Sequence, residues 1–209
     1  MIGFTIIPLS LIFIYGLTDR SGSFTLSNVL SIFAKDHFKA LLLSIILSIV
    51  STAICLVMAF PLALTLKSKK LNKGSLIVFI FILPMWMNLL LRTLAWLSLL
   101  EKNGIINTIL NFLHLPSLNI INTPAAIILG MVYNYLPFMV LPIYNVLEKI
   151  DDNTINAARD LGANTMQTLT RVIIPLSIPG IVSGITMVFV PALTTFVISN
   201  ILGGSKVLL

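Results

Sequence analysis

The sequence predicts an all-α polytopic membrane protein, with residues 1–209 forming a single transmembrane domain. Hydrophobic residues make up 57% of the chain and charged residues only 10%, whereas a soluble domain carries about 25% charged residues. The apolar residues are gathered into long runs, and a helix needs roughly 20 residues to cross the hydrocarbon of a bilayer. An open chain satisfies its own backbone there only as a helix. Four such runs, with at most one charge in each, exclude a soluble protein with buried helices.

Five transmembrane helices are expected in this chain, at about residues 2–17, 40–66, 75–100, 122–147 and 175–200. The first run is the shortest, about 24 Å long as a helix, and it lacks the basic start and cleavage site of a signal peptide. We interpret it as the outer part of a transmembrane helix. The odd number of spans and the abrupt end at residues 207–209 indicate a fragment, with six spans expected in the full length.

The orientation is predicted from one basic loop between the second and third spans, which contains Lys67, Lys69, Lys70 and Lys73 and no acid. Short basic loops stay on the cytoplasmic side of the membrane. The N-terminus and the loop at residues 151–174 are therefore expected in the cytoplasm. The formal net charge of +6 is interpreted as this topology signal, so membrane lipid is an expected partner and nucleic acid is not.

The residue types that catalysis or metal binding requires are not clustered in the sequence. Cys55 is the single cysteine, which excludes a disulfide and a thiolate metal site, and no nucleophile–base pair is present. None of the seven acids lies within a span, and both histidines fall in predicted external loops. A proton-coupled carrier would place ionisable groups in the membrane. An enzyme is therefore not expected, and an ATP-independent channel or carrier is kept as an alternative from a different class.

The loop at residues 151–174 is predicted to form a helix–turn–helix on the inner membrane face. Asp152 or Asn153 is expected to cap the first helix, and Gly162 to end it in a left-handed conformation. A second short helix is expected from Asn164, with Gln167 at the spacing of a capping box, and Pro175 follows at the start of the fifth span. The apolar positions of the first helix share a face that either docks into a groove of another protein or packs on this chain's own helices (Ile155, Ala158 and Leu161).

Polar residues within the spans suggest a second candidate site, at the transport pathway or its external mouth. Arg92 is the one charge inside a span, and snorkelling toward the outer headgroups is the favoured interpretation; the alternative is contact with another protein. Trp96 follows one helical turn later. Asn134 and Tyr135 lie deep in the fourth span, where polar groups need a protein or water partner. They are expected either to line the pathway or to bond between helices.

Two stripes of small residues are predicted to let helices approach closely. Ser44, Ser48 and Thr52 recur every four residues in the second span, and Gly180 and Gly184 have the same spacing in the fifth.

The loop motif resembles a family. Ala157-Ala158-x3-Gly162-x9-Val172-x-Ile174-Pro175 is similar to the E-A-A-x3-G-x9-I-x-L-P loop of permease subunits of bacterial ABC importers. The resemblance implies the ABC importer type I permease fold, with residues 151–163 acting as a coupling helix in a cleft of a cytoplasmic ATPase. Asn156 stands where the family has Glu, so this position has no carboxylate with which to form a salt bridge to the ATPase. The ATPase-coupling residues implied are Asn156, Ala157, Ala158, Gly162 and Pro175.

A closer resemblance, to the spermidine/putrescine permeases of this family, covers residues 91–96, 103–107, 135–144 and 157–163. It implies a multi-pass protein of the bacterial plasma membrane that carries polyamines by alternating access. The implied partners are an ABC ATPase dimer, a second homologous permease and an extracytoplasmic substrate-binding protein. ATP and Mg would be bound by the ATPase, with no cofactor or metal in this subunit. An importer for another small solute is the alternative within the class.

Overall fold

The structure, a computed structural model, describes residues 2–19, 23–26, 30, 35–68, 83 and 85–204. Over these residues the chain is mostly helical and has no strand, apart from an isolated antiparallel bridge between Thr18 and Phe24. The prediction of an all-α protein is confirmed for this part of the chain. The chain divides into two compact units, residues 1–44 and residues 45–208; the candidate sites lie in the second.

The helices are α1 (Ile2–Gly16), α2 (Lys35–Ser68), α3 (Leu89–Leu100), α4 (Ile105–Phe112), α5 (Pro124–Lys149), α6 (Asp152–Asp160), α7 (Thr165–Thr194) and α8 (Phe196–Ile198), with a π-helix at Ser199–Gly203. Among the described residues, three helices are long and apolar enough to cross a membrane: His37–Ser68, α5 and α7. The helix α1 is apolar but shorter. The count of five spans therefore stays a prediction.

The predicted third span does not form a single helix over its described part. Met87 lies in a bend and Asn88 has an extended backbone (φ −57°, ψ 132°), so α3 begins only at Leu89. The Asn88 side chain caps it, because its Oδ1 accepts a hydrogen bond of 2.8 Å from the backbone N–H of Leu90. Asn88 thus ends a loop instead of lying within a helical span. Residues 75–82 and 84 of the predicted span, and three of the four lysines used to predict the orientation, lie outside the described residues.

The closest packing of two long helices joins α5 and α7. A Cβ atom added to Gly180 would lie 2.8 Å from the carbonyl oxygen of Pro142 and 3.0 Å from the Cβ of Val146. One added to Gly184 would lie 2.7 Å from the Sδ of Met139. Only glycine, whose side chain is a hydrogen atom, lets the two helices come this close. The prediction that Gly180 and Gly184 allow close helix packing is therefore confirmed.

The second stripe of small residues lies on the buried face of α2. Ser48 and Thr52 are buried, and the Thr52 hydroxyl donates to the Ser48 carbonyl over 2.7 Å. On the same face, the Ser51 hydroxyl lies 3.4 Å from the Sδ of Met131, and the Cys55 thiol lies 3.9 Å from the carbonyl of Val132. These contacts hold α2 against the middle of α5.

The fifth predicted span is longer at its start than expected. The second short helix does not end before Pro175: α7 runs from Thr165 to Thr194, with a π-helical turn at Leu169–Ile173. A proline removes one backbone hydrogen bond and crowds the carbonyl four residues earlier, here that of Arg171, and the wider π turn covers this position. The helix ends before residue 200, because Thr195 is extended (φ −80°, ψ 104°).

Candidate functional site

The N-terminus of α6 is held by a side-chain cap. Asp151 is the capping residue, one position before those expected from the sequence, and its Oδ1 accepts a hydrogen bond of 2.9 Å from the backbone N–H of Asn153. Asp152 lies in the first turn and Arg159 in the last. Both charges are favourably placed against the helix dipole, so this helix of nine residues is stabilised locally at both ends.

The C-terminus of α6 closes in a Schellman motif around Gly162. The N–H of Gly162 donates to the carbonyl of Arg159 over 2.9 Å, and the N–H of Ala163 donates to that of Ala158 over 3.0 Å, which satisfies the last carbonyls of the helix. Gly162 has a φ of +84°, as predicted. A Cβ atom there would meet nothing within 4 Å. The glycine is therefore required for its backbone conformation and not for space.

The predicted capping box at the start of the next helix is confirmed. The backbone N–H of Gln167 donates to Oδ1 of Asn164 over 2.8 Å, and the N–H of Asn164 donates to Oε1 of Gln167 over 2.9 Å. The α6–α7 corner is thus fixed on both sides of Gly162 by hydrogen bonds that do not depend on the rest of the protein. Pro175 belongs to α7, beyond the π turn, and not to this corner.

The corner presents a largely unpacked surface. No residue of α6 is buried in this chain; Asn156 and Ala157 are exposed, and Ala158 is half-buried. The predicted apolar face divides, because Ile155 is half-buried while Leu161 is 90% exposed. Burial of one large apolar side chain contributes about 1.5–3 kcal/mol. The turn therefore exposes a large apolar side chain that the described residues of this chain do not cover.

The second candidate site contains a buried charge. Arg92 is only 7% exposed, and its Nε and Nη1 atoms have no hydrogen-bond partner among the described residues. The favoured interpretation, snorkelling toward the outer headgroups, is therefore wrong for this structure, because the side chain is directed into the protein. Arg92 interacts electrostatically with Tyr135. The Tyr135 hydroxyl donates to the carbonyl of Pro191 over 3.4 Å.

The other two predicted residues of this site make different contacts. Trp96 forms an edge-to-face contact with Tyr133, with ring centroids 5.2 Å apart and planes at 69°, and both rings line an apolar cavity of about 480 Å³. Asn134 is 1% exposed; its amide donates to the carbonyl of Gly130 over 2.8 Å, and its Oδ1 has no hydrogen-bond partner within the described segments. The structure therefore places the Trp96 ring against the Tyr133 ring, whereas Arg92 acts on Tyr135 electrostatically. Whether they line the pathway stays a prediction.

One structural residue of the predicted external side was not singled out from the sequence. Asn107 of α4 is 1% exposed, and its amide donates to the carbonyls of Glu101 and Leu118, both over 3.0 Å. Its Oδ1 accepts from the N–H of Leu118 over 2.7 Å. This side chain closes the connection between α3 and α5. The available signal was an asparagine in the first turn of a short, largely apolar helix.

Across the described part of the chain, no group of three or more His, Cys, Asp and Glu residues could hold a metal ion. The α6–α7 corner offers a surface, and the Arg92 region offers a buried charge.

Comparisons with known proteins identify the family. Residues 27–208 match the family described as "Binding-protein-dependent transport system inner membrane component". The spermidine/putrescine transport system permease protein PotB of Haemophilus influenzae is 38% identical over 217 residues, which cover 100% of this chain and 76% of that protein. The PotB protein of Escherichia coli K12 is 39% identical over 188 residues, which cover 89% of this chain and 68% of that protein.

A more distant relative has a different name. The inner membrane ABC transporter permease protein YdcU of Escherichia coli K12 is 30% identical over 195 residues, covering 86% of this chain and 62% of that protein. The relatives are named as permeases, so the chain is a transport subunit and not an enzyme. It belongs to the family of inner membrane components of binding-protein-dependent transport systems.

Proposed function

We propose that this chain is the transmembrane permease subunit of an ABC importer that moves spermidine and putrescine across the bacterial plasma membrane by alternating access. The observation that carries the proposal is the likeness, at 38% identity over the whole chain, to a permease named for these substrates. The exposed α6–α7 corner adds a physical reason, since an import subunit needs a surface through which a separate motor can act on its membrane helices.

The α6 helix would seat in a cleft of a cytoplasmic ATPase dimer, where Ala157 and Ala158 allow close approach of the two backbones. Leu161 and Met166 are 90% and 66% exposed, and their burial would supply apolar contact on either side of Gly162. Asn156 is exposed and offers an uncharged amide. This interface would therefore use hydrogen bonds at that position, where a Glu would form a salt bridge.

The remaining partners and the orientation belong to the same proposal. A second permease would complete the pathway, an extracytoplasmic binding protein would deliver the substrate, and the ATPase would bind ATP and Mg. The N-terminus would be cytoplasmic, with five spans in this chain and the whole of it acting as one transmembrane domain. Arg92, Trp96, Asn134 and Tyr135 would lie near the external mouth. A guanidinium repels a cationic substrate, so contact of Arg92 with a partner protein is proposed.

The test is ATP hydrolysis and uptake by the complete complex in proteoliposomes with the binding protein. Spermidine and putrescine should stimulate both, while an inorganic anion and an unrelated organic cation should stimulate neither. Stimulation by another solute alone would contradict the polyamine assignment. It would favour the second candidate, an ABC importer for another small solute. Uptake that persists without the ATPase would support an ATP-independent channel or carrier and would sink the proposal.

A further inference from the structure

A lysine at the end of α2 forms a hydrogen bond with the residue that ends α5, two positions before α6 begins. The Nζ of Lys67 donates to the carbonyl of Ile150 over 2.8 Å, across 83 positions of the sequence. Ile150 is the C-terminal cap of α5, and the next residue, Asp151, is the N-terminal cap of α6. The bond therefore joins α2 to the junction at which the predicted span α5 turns into the exposed helix.

The charges around this junction favour the contact. The Lys67 ammonium interacts electrostatically with Asp152 and, to a lesser degree, with Asp151. The carbonyl it binds belongs to a helix C-terminus, where a cation is favourable, and a hydrogen bond from a charged donor is stronger than a neutral one. One cation thus contacts the end of α5 and faces both acids at the start of α6.

The same lysine lines a cleft between α2 and α6. The cleft has a volume of about 360 Å³ and is bounded by Leu64, Lys67 and Ser68 on one side and by Ile155, Asn156 and Arg159 of α6 on the other. The Lys67–Ile150 bond lies at the edge of this cleft and ties α2 to the junction between α5 and α6.

We propose that Lys67 is a positioning residue that transmits displacement of α6 to α2, so that a motor acting on α6 moves this span together with α5 and α7. The inference rests on the proposed function, since it presumes an ATPase that displaces α6. Lys67 would then have two roles, as a topology signal and as a link between helices. A topology signal needs only a positive charge on that side of the membrane, whereas a link needs a donor at this position.

Three variants of the complete reconstituted complex test the link, with uptake per ATP hydrolysed as the measurement. Lys67→Met should lower this ratio about fivefold, at the lower end of typical coupling between sites, while the ATPase still co-purifies. Lys67→Arg keeps the charge and the donor and should retain most of the ratio. Lys149→Met removes a charge from the last turn of α5, near the same junction, and should behave as wild type.

The outcomes separate the inference from the proposed function. Absence of ATP-driven polyamine uptake in the wild type overturns the proposed function, whatever the variants do. An active wild type with an unchanged ratio in Lys67→Met, or an equal loss in Lys149→Met, overturns the link alone. If Lys67→Met does not assemble, Lys67→Ala, which also has no side-chain donor, is measured instead, and a reduced ratio supports the link. Loss of assembly in both variants overturns it, because Lys67 would then be needed for folding.

Discussion

Gly162 combines a positive φ of 84° with open space around the position of a Cβ atom. The two properties distinguish this glycine from Gly180, which is required because a neighbouring backbone lies against it. A side chain at position 162 would therefore meet no obstacle, and the whole cost of a substitution would come from the backbone. That cost depends on how readily the new residue adopts a left-handed conformation.

Gly162→Val should lower ATP-driven uptake strongly while the protein still inserts into the membrane. A β-branched residue in this conformation costs about 1–3 kcal/mol, enough to open the Schellman motif and reorient Leu161. Gly162→Asn is the matched control, because Asn tolerates the left-handed region, and it should retain most of the uptake. Both are measured as uptake per amount of membrane-inserted protein. Full uptake by the valine variant would exclude a coupling role for the shape of this turn.

Among the helices, the parts that the sequence predicted well are those set by local interactions. The caps at Asn164 and Gly162 involve partners within six residues, so their spacing alone predicts them. The start of α3 is not predicted, because Asn88 falls within the apolar run at residues 75–100, although its side chain caps the helix that follows. Helix periodicity in an apolar run does not mark where such a run is broken.

The errors at the second candidate site have a different origin. The burial of Arg92 depends on how α3 packs against α5 and the π-helix at Ser199–Gly203. The Lys67–Ile150 bond of the first site likewise joins residues 83 positions apart. Neither contact leaves a pattern in the sequence. The grouping of Trp96 with Tyr133, and of Arg92 with Tyr135, likewise follows from the placement of two helices. The identity of polar residues in the membrane was predictable, but their partners were not.

Gly180→Val should destabilise the packing of α7 on α5. Its side chain would meet the Pro142 carbonyl and the Val146 side chain at 3.0 Å or less, and overpacking of this kind costs about 1–3 kcal/mol. The melting temperature of the purified protein in detergent should fall. Ser183→Val is the control, because Ser183 lies on the exposed side of the same helix. Equal melting temperatures for the two variants would contradict close α5–α7 packing.

For the molecule as a whole, the burial of the three long helices is unequal. The most apolar part of α5 is 56% buried, against 28% for α2 and 22% for α7. The α5 helix is thus central to the second unit, and large apolar side chains remain exposed on the other two, such as Val57 at 72% and Val182 at 57%. We expect lipid or the second permease to cover these faces in the assembled transporter.

Arg92 connects the stability of the isolated chain with its place in an assembly. A buried guanidinium with two nitrogens that have no hydrogen-bond partner in the described part of the chain is costly, and even a buried ion pair can often be replaced by apolar side chains with a neutral effect or a gain of about 1–4 kcal/mol. Arg92→Met should therefore keep or raise the melting temperature of the isolated subunit. If the assembled transporter supplies a partner for the guanidinium, the same variant should lower uptake by the complete complex.

The melting temperature and the uptake together show whether the partner of Arg92 lies in this chain or in another subunit. Arg92→Lys is the control, since it keeps the charge but not the planar donor group that binds carboxylates at two points, and it should recover only part of the uptake. A lower melting temperature for Arg92→Met in the isolated subunit would show that Arg92 already has its partner within this chain. Raised stability together with lost uptake would place that partner in another subunit. Arg92 would then destabilise the isolated subunit and yet be required in the complete complex.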